Sequence, residues 1–270
     1  MGLDTEVAQF CDCTLSPRGF PCVFFDATYC TARVGHRIVS QAIVVAADGR
    51  REVLGFDVRD GENEGFWTGF LRSLKTRGPG WVKLVTSDTH TGLKKSLSTV
   101  FQGASWQHCR VHFMRNVLAV VQKGLQEMVA SIIRTIFSQP DAEHIQKRFA
   151  EVTMMLGRSH PKFAWILTDA QPDLPAFPGF ARRHWRQSWS TNRRERVNKE
   201  ITRRSDVEGA LPQSPALLRP AGSVLIEQHD DGEAGERLYF SEASMLELAI
   251  MNNPTEVIDE AVILPELATA

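Results

Sequence analysis

Short apolar, aromatic and β-branched runs fill the first hundred residues. "CVFFDATYC" (22–30) predicts a strand, and "RIVSQAIVVAA" (37–47) and "REVLGFDV" (51–58) predict two more, joined through Asp48-Gly49, a hairpin dipeptide. The natural arrangement is an antiparallel meander. The period then changes: "ENEGFWTGFLRSLKTRG" puts Phe66, Trp67, Phe70, Leu71 and Leu74 on one helical face, with Gly78 as a stop. "WVKLVTSD" (81–88) returns to strand character, "TGLKKSLSTVF" is a second amphipathic helix, and "ASWQHC" (104–109) is a short fifth strand. The order β-β-β-α-β-α-β marks an α/β fold.

From Arg110 the strands stop. "VHFMRNVLAVVQ", "LQEMVASIIRTIF", "DAEHIQKRFAEVTMML" and "PKFAWILTDA" all carry helical periodicity, with Asp141 as an N-cap. "QPDLPAFPGF" (171–180) is a proline-rich loop. A charged helix then begins in "WSTNRRERVNKEITRR", capped by Ser190 or Thr191, and a further segment near 213–230 precedes the C-terminal region.

Bulk composition narrows the class. With 270 residues, 43% hydrophobic and 23% charged, the chain matches an ordinary globular protein with room for a large core. No apolar run approaches the roughly 20 residues that span a bilayer, and no secretory signal opens the chain. Cys11, Cys13, Cys22, Cys30 and Cys109 form an odd set without framework spacing, as expected of reduced thiols in a cytoplasm. The net charge of −1 averages two unlike parts. Residues 227–270 hold 11 acids and one base, leaving residues 1–226 with 30 bases and 21 acids. That basic body suits a polyanionic partner.

Candidate chemistry lies in the placement of acids. Asp26 interrupts the apolar run "VFFDAT", where a carboxylate needs a partner or a metal ion. Asp88 ends the fourth strand, a position that a turn-forming aspartate also fills. If the first and fourth strands are neighbours, the two meet at one edge of the sheet, and Glu195 completes a cluster if the late helix packs across it. Three clustered carboxylates suit hard cations such as Mg²⁺, and two such ions about 3.5–4 Å apart suit in-line displacement at phosphorus. Arg193, Arg194, Arg196, Lys199, Arg203 and Arg204 surround Glu195 on its helix and are suited to backbone phosphates, although charge-rich helices are commonly just solvated faces.

Together these stretches resemble the bacterial Mutator-type insertion-sequence transposases, a branch of the DDE transposases. The likeness rests on "FFDATY", "DGRREVLGFDV...ENEGFWTGFLRSLKTRG", "VKLVTSDTHTGLKKSL", "SWQHCRVHFMRNVLA", "HWRQSWSTNRRERVNKEITRRSDVEG" and "LLRPAGSVLIEQHDD", in order between about residues 20 and 245. The resemblance implies a ribonuclease H-like mixed sheet flanked by helices, with an all-helical insertion between the second and third catalytic acids. By it, residues 1–20 are a linker remnant, 21–109 and 186–230 the catalytic domain, 110–185 the insertion, and 231–270 an acidic tail. It implies that Asp26, Asp88 and Glu195 are the catalytic triad binding two Mg²⁺ or Mn²⁺ ions. It also implies phosphodiester hydrolysis and strand transfer at element ends, by a homodimer on double-stranded DNA in the cytoplasm near the nucleoid.

The family's Cys-x-x-His element falls on Cys109 and His112. Half a zinc site is present there, but no second pair accompanies it, so a supporting role beside the active site is expected. Trp185 and Trp189 are core residues or stack on a base. Some features depart from the family. Only about 20 residues precede the first catalytic strand, Arg193 and Arg194 replace smaller or apolar residues, and Pro220 is expected to interrupt a helical segment. The alternative reading is therefore a truncated, catalytically inactive DNA-binding remnant.

Overall fold

The computed structural model describes residues 3–15, 20, 22–34, 37–48, 52–59, 61, 63–78, 82–88, 90–158, 161–171, 192–207 and 214–234; positions 34, 161–164, 192–196, 206, 207, 214, 215 and 231–234 are described by backbone alone. Five strands form one mixed sheet: β1 (Cys22–Val34), β2 (Arg37–Asp48), β3 (Val53–Arg59), β4 (Leu84–Ser87) and β5 (Ser105–His108). Their spatial order is β3-β2-β1-β4-β5. The meander β1–β2–β3 is antiparallel, whereas β4 and β5 run parallel to β1. Each parallel step needs a crossover, supplied by α2 (Glu64–Thr76) and α3 (Thr91–Val100).

These two helices form where the pattern predicts them. Asn63 caps α2 by accepting from the Phe66 amide at 2.9 Å, and Trp67, Phe70, Leu71 and Leu74 are buried beneath it. Gly78 ends this segment with φ +113°, a conformation that side chains with a Cβ resist. The β2–β3 turn is tied by the Asp48 carboxylate, which accepts from the Glu52 amide at 2.8 Å.

Alternation along β1 sorts its side chains into layers. Val23 and Phe25 join Val85 and the apolar faces of α2 and α3 in one cluster. The opposite face is divided. Cys22, Phe24 and Leu84 pack against a helical segment made of α4 (Arg110–Ala119), α5 (Gln126–Phe137), α6 (Ala142–Gly157) and α7 (Pro161–Ala170). Further along the same face, Cys30, Ala32, Ile43 and Val45 pack against Ile201 of α8 (Asn192–Val207) and Leu217, Ala221, Val224 and Leu225 of α9 (Ser214–Ala234). Residues 26 and 28 of β1 lie between the two clusters. The predicted N-cap of α6 is present, with Asp141 accepting from the His144 amide at 2.9 Å.

Two features differ from the sequence expectation. The stretch Leu3–Asp12 forms a helix, α1, which docks on the sheet and α9: Val7 is buried in the α8–α9 cluster, and Asp4 pairs with Arg219 at 2.6 Å. Pro220 does not interrupt the C-terminal helix but lies inside α9. A mid-helix proline costs about 3 kcal/mol. The buried stripe Leu217, Ala221, Val224 and Leu225, spaced at one helical face, offsets that penalty through burial against the sheet. No helix among the described residues is long and apolar enough to cross a membrane.

Candidate active site

The middle of β1 forms the floor of a groove of about 600 Å³, lined there by Asp26, Ala27 and Thr28. One wall is α4, through His112 and Arg115; the other is α8, through Asn198, Lys199, Thr202 and Arg203. The groove therefore follows the seam between the two apolar clusters.

Asp26 is only 6% exposed, and its burial is matched by hydrogen bonds. Oδ2 accepts from the Asn198 side-chain amide at 2.9 Å, and Oδ1 from the Ala27 backbone at 3.1 Å. One turn further along α8, the Thr202 hydroxyl lies 3.4 Å from that of Thr28. Asn198 and Thr202 thus sew α8 to the strand at i, i+4 spacing, while Lys199 and Arg203 line the groove beside them.

β1 and β4 are parallel neighbours, with Cys22, Val23 and Phe24 pairing with Leu84, Val85 and Thr86. Asp88 follows directly after β4, and its charge acts together with that of Asp26 on the His112 ring that lines the groove. Asp88 is more open, with its side chain 52% exposed, and its Oδ1 lies 3.3 Å from Nε2 of buried His108. His108 is fixed in turn by stacking on Trp106, whose indole N–H donates to Ser87 at 2.8 Å.

Cys109 is fully buried at the start of α4, and its amide donates to the Ser87 carbonyl at 2.7 Å, tying that helix to the end of β4. His112 sits one turn later. Burial opposes charge on its ring, but a hydrogen bond to Cys109 and the negative charge of Cys109, Asp88 and Asp26 prevail, raising its pKa to about 9. The ring is therefore an imidazolium at neutral pH. Among the described residues its buried Nδ1 has no hydrogen-bond partner.

Of the basic residues expected on α8, Lys199 and Arg203 face the groove. Arg203 and Arg204 both bind Glu200, whose carboxyl they hold down to about 2, and Arg204 also reaches Glu227 of α9 at 2.9 Å. Glu200 thus organises these two arginines. Glu195, Arg193, Arg194 and Arg196 lie on the α8 backbone, but their side chains are outside the described residues, as are Trp185 and Trp189 altogether. No group of three or more His, Cys, Asp and Glu side chains among the described residues is placed to hold a metal ion. The described carboxylates, buried Asp26 and half-open Asp88, nevertheless have the hard oxygen chemistry that Mg²⁺ takes.

Three contributors went unnoticed in the sequence: Asn198, Arg115 and His108. Asn198 lies three residues after Glu195, a single helical turn, and that spacing is the signal that was available.

The family model for the Mutator family of transposases matches residues 1–234. The chain belongs to this family. It is 36% identical over 239 residues to the transposase of insertion sequence element IS1081 from Mycobacterium tuberculosis, covering 87% of this chain and 58% of that relative. The IS406 transposase of Burkholderia multivorans is 33% identical over 222 residues, covering 80% and 57% respectively. The IS256 transposase of transposon Tn4001 from Staphylococcus aureus is 30% identical over 249 residues, covering 88% and 63%. The chain thus spans about three-fifths of the length of these transposases, and the matched family region includes Asp26, Asp88, the α4 element and α8.

Proposed function

We propose that this chain is the catalytic domain of a DDE-type transposase with a ribonuclease H-like core. It would cut and rejoin DNA at the ends of an insertion sequence, acting as a homodimer on double-stranded DNA. The observation that supports the reading is the groove over the middle of β1, where buried Asp26 lies between basic side chains of α4 and α8, with Asp88 following the neighbouring strand β4. Membership of the transposase family supports it.

The chemistry is phosphodiester exchange in two displacements. Water attacks the phosphorus at the element's end, the bond from phosphorus to the 3′-oxygen breaks, and a 3′-hydroxyl is released. That hydroxyl attacks a target phosphodiester, forming a new P–O bond and expelling the target's own 3′-oxygen. Asp26 and Asp88, with Glu195, would hold Mg²⁺ or Mn²⁺, which when bound supplies Lewis-acid stabilisation of charge on the phosphate oxygens. The remaining work belongs to the chain. Asn198 and the Ala27 amide orient the Asp26 carboxylate, and His108 orients that of Asp88. Lys199, Arg203 and the other bases of α8 attract the backbone with the salt dependence of phosphate contacts.

A strand-transfer assay with duplexes carrying the element's ends tests the reading. The unmodified chain is expected to yield joined product with Mg²⁺ or Mn²⁺, and Asp26→Asn and Asp88→Asn to bind DNA without yielding it. Product from Asp88→Asn at the unmodified rate removes the carboxylate assignment. Binding by the unmodified chain with no product at all supports a catalytically inactive DNA-binding role instead.

A further inference from the structure

The bases of α8 supply only one wall of the groove. Across from Lys199 and Arg203, α4 presents His112 and Arg115, three residues apart and therefore on one face of that helix. Among the described residues lining the groove, Asp26 is the one acid, and it lies in the floor with its carboxylate engaged by Asn198 and the Ala27 amide. A groove with a fixed acid below and cationic groups on both sides suits a strand of linked phosphates better than an isolated small anion, because the walls belong to different elements and are separated by the width of the seam. Arg204 does not line the groove and pairs with Glu227 and Glu200, whereas Arg203, which also pairs with Glu200, does line it.

We propose that His112 and Arg115 are phosphate-binding residues, and that a nucleic-acid backbone lies along the seam held between them on α4 and Lys199 and Arg203 on α8. The inference rests on the reading of this chain as a DNA-processing enzyme, and it assigns to α4 a contact role in addition to its packing. It also sets the strand's path, across β1 at Asp26 and between two helices that belong to different apolar clusters.

The test is the salt dependence of binding to a duplex lacking element ends, measured by fluorescence anisotropy in an Asp88→Asn background so that no cleavage intervenes. Each phosphate contact removed lowers the slope of log K against log salt by about 0.9. Arg115→Gln is expected to lower the slope by about that amount, and His112→Gln to weaken binding. Lys147→Gln, an equal loss of charge at an exposed position of α6 outside the groove, is the control and is expected to leave the slope nearly unchanged. Arg115 is exposed, so its variant tests the proposal even if His112→Gln, altered at a half-buried site, does not fold by circular dichroism. A slope for Arg115→Gln equal to that of the parent or of the Lys147 control overturns the proposal. Failure of the unmodified chain to join strands, with the Arg115 effect intact, would instead remove the catalytic reading and leave this binding seat in place.

Discussion

The side-chain amide of Asn198 donates to Oδ2 of Asp26 across 2.9 Å, linking a helix and a strand whose residues are 172 positions apart in sequence. A hydrogen bond to a charged acceptor contributes about 1.5–3 kcal/mol, and a buried carboxylate that loses one is left partly unsatisfied. Asn198→Ala is therefore expected to lower stability by about 2 kcal/mol in urea titration, and strand joining by on the order of ten-fold or more. Asn198→Gln, which keeps the amide on a longer arm, should recover part of the joining rate. Equal rates for Ala, Gln and the parent would show that Asp26 needs no orienting partner.

His112 gives the protein a distinct response to alkali. Its folded pKa of about 9 exceeds the ordinary 6.5, so the folded state holds this proton more tightly than the unfolded chain does. The stabilisation is complete below about pH 6.5 and disappears as pH climbs through about 9. The stability difference between the parent and His112→Gln should consequently shrink over that window. A difference that stays constant or grows from neutral to alkaline pH contradicts the assigned charge state.

Close packing of α1 on α9 predicts a compensating pair. A Cβ placed on Gly222 would lie 2.5 Å from Val7 Cγ2 and 3.2 Å from Phe56 Cζ. Gly222→Ala should destabilise by about 1–3 kcal/mol through overpacking. Combined with Val7→Ala, which makes room, the cost should be less than the sum of the two single changes. Strict additivity in the double-mutant cycle would mean that α1 does not press on α9 at this point.

Pro220 offers a gain of stability. It lies within α9, where it has no amide to donate to the preceding turn. Pro220→Ala is expected to raise the midpoint of thermal unfolding and add about 1–3 kcal/mol. A lowered midpoint would indicate that the partly buried ring contributes more than the backbone loses.

The meander, both crossover helices and the four helices after Arg110 were legible because each carries its own signal: alternation, a 3.6-residue period, an aspartate cap or a glycine stop. Asp26 was legible as an anomaly, a charge inside an apolar strand. The partners that give it meaning were not. Asn198 reads locally as one polar residue on a polar helix, and Arg115 as one more exposed base, until the sheet and two helices are assembled around them. α1 was overlooked because the residues it buries, Val7 among them, find their surface only on α9 and β3. Pro220 misled for a related reason: local backbone preference was overruled by a buried stripe whose partners are distant in sequence.

The groove runs along a boundary between two separately packed oily masses, so its floor belongs to neither. Its α8 bank is fastened to β1 twice over, by the polar links of Asn198 to Asp26 and Thr202 to Thr28 and by Ile201, buried with Cys30 and Ala32. An incoming polyelectrolyte can exchange the polar links for its own, whereas shifting the helix would breach the interior, so the strand meets a bank that stays in place.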